Sequence, residues 1–194
     1  MYYPKLWYDG AKLAMITACC LAALNCMAQP PDITKPHHTP GGFRNVHAYK
    51  EKGFFDFIKW RWERTWKDIP GPDAYDFPLA KNDPEFLKAN QTQTTLTWVG
   101  HATVLLQVAG KNILTDPLFS ERASPVQWAG PNRVAPLGLP LEDLPPIDMV
   151  VISHDHYDAL DKPTINKLHQ RPGGEHTTFF VPLGLKDWFN KRGI

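Results

Sequence analysis

Apolar and polar positions change their rhythm near residue 94. Beyond it, short apolar runs alternate with turn signals. Residues 94–98, 102–108 (with β-branched Thr103, Val104 and Val108) and 112–115 read as strands, the last two joined by a turn at Ala109-Gly110-Lys111. Residues 149–152 (MVVI) form a four-residue apolar run, too short for a helix, and read as a buried strand. Pro163 sits in the first turn of a helix that Asp161 caps and that runs to about His169. A strand over 177–181 and a helix over 183–191 follow. Hairpin strands followed by alternating strand and helix predict an α/β class of layered sheet with helices outside. The connection 117–146 is long and irregular, with one helical turn at 141–144, and loops of that length are often functional.

Before residue 94 the pattern is looser. Residues 13–24 are an apolar run behind Lys5 and Lys12, and Cys26-Met27-Ala28 offers a cleavage position, the layout of a secretory signal peptide. The chain is therefore expected to be exported, to a bacterial periplasm or membrane-associated. A lipoprotein signal ending at Cys19 and a retained anchor are the rivals. The expected organisation is a signal or anchor over 1–28, an arm over 29–93 and the folded body over 94–194. The arm begins with a Pro-rich stretch, where His37 and His38 are expected to be solvated. Within it Phe54, Ile58 and Trp62 recur at helical spacing, with Phe55 and Trp66 nearby. That stripe is either an interfacial helix on a membrane surface or a helix with its aromatics buried, and burial is the commoner fate.

Composition narrows the chemistry. A net charge of +1 gives no electrostatic case for nucleic acid. The only cysteines are Cys19, Cys20 and Cys26, so a metal in the body must be held by nitrogen and oxygen, as in a catalytic site. The strand at 149–152 exits into His154, Asp155, His156, Asp158 and Asp161. So many imidazoles and carboxylates at a strand end are costly to bury without a positive charge among them, and a divalent metal is that charge. In an extended loop His154, His156 and Asp158 share one side, with Asp155 and Tyr157 on the other.

The segments TWVGHATVLL (97–106), ILTDPLFSERASP (113–125), LPPIDMVVISHDHYDALD (144–161) and FFVPLGLKDWF (179–189) resemble the metallo-β-lactamase superfamily. Within it they are most similar to the N-acylphosphatidylethanolamine-hydrolysing phospholipase D branch and its bacterial relatives. The resemblance implies a four-layer αββα sandwich, of which residues 94–194 would form the first half. On the H-x-H-x-D-H signature, His154 and His156 match ligands of the first metal and Asp158 a ligand of the second. Ala159 stands where the last histidine belongs. Asp116 matches an acidic residue that fixes the loop without binding metal, and His101 is expected to support the site from outside the ligand set or to be purely structural.

The resemblance also implies one or two Zn²⁺ ions per complete domain. Asp158 would orient the attacking water, and the substrate would be a phospholipid or another phosphodiester or ester; Tyr157 is expected either to contact a substrate phosphate or to pack against the sheet. The chain ends after one half of the sandwich, so a fragment with partial metal occupancy and weak or no activity is expected. An open sheet face, including Val104, Leu106, Val150 and Ile152, would then favour homo-oligomers or aggregation. His169 and His176 are expected at the surface. The rivals are an amidohydrolase barrel, for which 194 residues with an early hairpin are unsuited, and a non-catalytic membrane-associated binding protein.

Overall fold

β-Branched and apolar residues at alternating positions build one five-stranded mixed sheet. In this computed structural model, which describes residues 32–40, 42–47, 52–67 and 78–194, the chain falls into two compact units. One comprises residues 1–46 with 183–193, the other residues 47–182 with Ile194. The leader expected over 1–28, with its three cysteines, lies outside the described residues. Among the described residues no helix is long and apolar enough to cross a membrane.

The described part of the first unit holds a small hairpin, β1 (His38–Thr39) and β2 (Gly42–Phe43), and a short helix over Lys186–Asn190. His38 is buried, against the expectation of a solvated arm. Its ring meets those of His37 and Phe43 edge-on at 4.5 and 4.8 Å. Burial first, and then the neighbouring His37 and Lys35, hold its pKa below the ordinary histidine value.

In the second unit, helix α1 (Phe54–Thr65) starts where Asp56 Oδ2 accepts the Gly53 N–H at 2.9 Å. None of its residues is buried, and Phe54, Phe55, Trp62 and the following Trp66 are more than half exposed. The buried stripe favoured by the sequence is therefore corrected: the aromatics meet one another along the helix, Trp62 edge-on to Trp66 at 5.7 Å. Helix α2 (Pro84–Ala89) is capped by Asp83, which accepts the Phe86 N–H at 3.0 Å.

The sheet follows in chain order: β3 (Thr95–Gly100), β4 (Thr103–Val108), β5 (Lys111–Thr115), β6 (Met149–Val151) and β7 (Thr178–Phe180). The first three are antiparallel and the last two add in parallel, which excludes the barrel rival. Ala109 and Gly110 both take positive φ, 51° and 71°, as a tight hairpin turn requires. Register aligns Leu105, Leu114, Val150 and Phe179 across one face. The first three are fully buried, each worth about 1.5–3 kcal/mol of burial.

The other face aligns Leu96, Leu106, Ile113 and Met149 and remains open, with Leu96 74% exposed. The strand over 149–151 thus alternates rather than being buried on both sides. Val104 and Leu106 belong to the open face as expected, whereas Val150 and Ile152 are buried and do not.

Beyond the strand at 149–151, helix α3 (Lys162–Gln170) carries Pro163 in its first turn and buries Thr164, Ile165 and Leu168. Asp161 occupies its N-cap position, but its carboxylate does not cap the helix backbone. It accepts the Ser120 N–H and hydroxyl at 3.0 and 2.9 Å and the Thr164 hydroxyl, tying the 117–146 connection to α3. His169 is half-buried and His176 exposed. The expected helical turn near 141–144 appears as a 3-10 turn over Leu141–Asp143.

Asp148 clamps β5 to β6: its carboxylate accepts Lys111 Nζ at 2.7 Å and the Asn112 N–H at 2.9 Å. Burial pushes this carboxyl up, but the Lys111 ammonium and the Asn112 N–H outweigh it and hold it below its ordinary range. A carboxyl depressed in the fold stabilises above its unfolded pKa and loses that contribution as pH falls through the folded value. Asp148→Ala is therefore expected to lower stability at pH 7 by about 1 kcal/mol, a value discounted for the screened Lys111 partner. Urea melts at pH 7 and at progressively lower pH check this, because the difference between variant and parent should shrink as pH falls below the ordinary carboxylate range.

Candidate metal centre

The site is built where β6 ends. Val151 O accepts the Asp116 N–H at 2.9 Å, and Asp116 Oδ1 in turn accepts the Ser153 N–H at 2.7 Å. Asp116 is held at φ 34°, a left-handed conformation that aspartate tolerates better than most side chains. It therefore fixes the first residue of the loop. After Ser153 the chain bends instead of staying extended. His156 O accepts the N–H groups of Ala159 and Leu160 at 3.1 and 2.7 Å, closing a turn that buries both residues.

That turn brings one ligand atom from each of His154, His156 and Asp158 within 4.8 Å of one another. Two-residue alternation predicted the same trio for a different reason; the fold achieves it by curling the loop. His154 and His156 meet edge-on with ring centroids 4.9 Å apart. Ser153 Oγ lies 2.8 Å from His154 Nδ1, while His154 Nε2 lies 3.5 Å from Asp158 Oδ1. One ring nitrogen is thus engaged by the serine and the other faces the carboxylate, the usual division of labour in a metal-binding imidazole.

Asp158 is partly buried. Burial pushes its carboxyl up, but the His101 hydrogen bond, its own backbone N–H and the nearby imidazoles outweigh this and hold it below the ordinary range. An ionised carboxylate beside two imidazoles, with no thiolate among the described residues, fits a divalent ion.

Asp155 is exposed, and Tyr157 stands 37% exposed on the same loop. Ala159 is buried and offers no donor at the position of the family's last histidine. His101 reaches Asp158 from the β3–β4 turn. Ser153 and Trp98, whose indole donates to His101 O at 2.9 Å, were missed in the sequence. A hydroxyl directly before H-x-H was the available signal for Ser153; nothing local marks Trp98.

Residues 111–194 match the family model described as "Beta-lactamase superfamily domain". The chain is 46% identical over 98 residues to an N-acyl-phosphatidylethanolamine-hydrolyzing phospholipase D 1 of Caenorhabditis elegans, covering 50% of this chain and 27% of that protein. It is 35% identical over 65 residues to a metal-dependent hydrolase of Aeropyrum pernix, covering 34% of this chain and 22% of that one. A solved isothiocyanate hydrolase from Delia radicum gut bacteria is 27% identical with a TM-score of 0.36, covering 50% of this chain and 36% of that structure. The chain therefore spans about a quarter of the length of these two curated relatives. The family model and the two curated relatives make residues 111–194, which include the histidine loop after β6, similar in sequence to the metallo-β-lactamase superfamily.

Proposed function

We propose that the chain contributes the metal-binding loop of a metal-dependent hydrolase, with zinc as the ion and a phosphodiester of an N-acylphosphatidylethanolamine-type phospholipid as the substrate. The observation that carries this reading is the convergence of His154, His156 and Asp158 at the end of a sheet strand. The relative from Caenorhabditis elegans supports the substrate class.

When bound, a divalent ion supplies Lewis-acid polarisation of the phosphoryl oxygen and activates water. His154, His156 and Asp158 would hold it, and Asp158 would also orient the water. Asp116 and Ser153 keep the loop in place, and Tyr157 is set to meet a substrate phosphate. Three donors from a single loop predict one weakly held ion and slow turnover.

A second reading, a membrane-associated binding module, is favoured by helix α1. Its exposed aromatics stand beside Lys59, Arg61 and Arg64, a composition suited to an anionic lipid surface.

The test uses the 194-residue chain titrated with ZnCl₂, then assayed on bis(p-nitrophenyl) phosphate and on N-acylphosphatidylethanolamine vesicles. One bound ion and slow, chelator-sensitive cleavage, lost in Asp158→Asn, are the expected results. Flotation with vesicles without any zinc uptake would replace the hydrolase reading with the membrane one.

A further inference from the structure

A fourth side chain is aimed at the loop from elsewhere in the sheet. His101 lies in the turn between β3 and β4, and its Nε2 is 3.2 Å from Asp158 Oδ2 across 57 residues of sequence. Its backbone is held at φ 52°, a region disfavoured for a residue with a Cβ. The turn that holds it there is fastened on both sides. Trp98 Nε1 donates to the His101 carbonyl at 2.9 Å, and Gly100 at φ 152° lets the Arg133 guanidinium pass 3.1 Å from where a Cβ would sit. The other carboxylate oxygen, Asp158 Oδ1, faces His154 Nε2.

We infer that His101 is the positioning residue of the site: by holding Asp158 Oδ2 it turns Oδ1 alone toward the ion shared with His154 and His156. The inference rests on the metal-site reading above and adds to it a residue outside the histidine loop. A carboxylate on a loop rotates freely about its last torsion, and a hydrogen bond to one oxygen removes that freedom before the ion arrives. Strained backbone is retained where surrounding contacts enforce it, and here it places a ring against a ligand. With Oδ2 engaged by His101 and Ala159 contributing no donor, the loop is set for one ion.

The 194-residue chain is titrated with ZnCl₂ by calorimetry and with CoCl₂ by visible absorption, as the parent and as His101→Ala and His101→Gln. The glutamine amide reaches about as far as Nε2 and restores an N–H donor. The parent should bind one ion. His101→Ala should weaken binding about 10–100-fold and lower the Co²⁺ absorption, the usual effect of losing a partner of a metal ligand. His101→Gln should recover most of the affinity, with metal-free melting temperatures alike in all three.

Parent-like affinity in His101→Ala overturns the inference while leaving the metal site standing. Two ions in the parent, with only the second lost in His101→Ala, also overturn it, by making His101 a ligand. A parent that binds nothing removes the metal-site reading, and the inference with it. Should alanine lower the metal-free melting temperature, His101→Gln and His101→Leu, similar in size, carry the comparison, and equal affinities there overturn the assignment.

Discussion

His156→Ala is expected to weaken metal binding by more than about 100-fold, since losing even an outer partner of a ligand is worth about 10–100-fold. The trio contributes one atom per residue, so the variant leaves two donors on one loop, below the three that zinc sites ordinarily keep. The turn itself should survive. His156 holds it through its carbonyl, which accepts the Ala159 and Leu160 N–H groups, and alanine keeps that carbonyl. Its imidazole is exposed, so little packing is lost. Asp155→Ala, next door and pointing to solvent, is the matched control and should bind within about two-fold of the parent, as surface changes usually do. Zinc titration of both variants, with their melting temperatures, decides the matter. Equal affinity in His156→Ala and Asp155→Ala would mean that the three atoms meet without forming a site.

How much of this was legible beforehand follows from the range of each signal. The strands after residue 94 were readable because period-two alternation is local, and the hairpin at Ala109-Gly110 because turn chemistry is local. The His154–His156–Asp158 trio was readable because its members lie within five residues. Helix α1 was readable as a helix, but the fate of its aromatic face was not: periodicity says which residues share a side and nothing about what covers it. Val150 and Ile152 were assigned to the wrong face because a four-residue apolar run carries no alternation to orient it. Asp161 looked like a helix cap from its neighbours, while its bonds run to Ser120, 41 residues away. The His101–Asp158 pair failed to stand out for the same reason, since the sheet register alone brings it together.

The largest stability effect is expected far from the histidine loop, at Gln107. This side chain is 2% exposed on the buried sheet face, in register with Thr95 on one side and Asn112 on the other. The structure makes it the hub of a closed polar network. Its Nε2 donates to Leu87 O at 2.7 Å and to Asn112 Oδ1 at 2.8 Å, while its Oε1 accepts from Asn90 Nδ2 at 3.0 Å and Thr95 Oγ1 at 2.9 Å. Four groups on α2, β3, β5 and the α2–β3 loop are thereby satisfied by one residue. Gln107→Ala strands them beside a cavity, where water replaces the lost bonds poorly. The expected loss is about 3 kcal/mol, or about 6–12 °C in melting temperature. Gln107→Met separates the two causes, because it keeps the volume and discards the hydrogen bonds. If the polar network holds β4 and β5 to α2, methionine should be nearly as damaging as alanine in thermal melts. A methionine variant that melts with the parent would show that this position is held by packing alone.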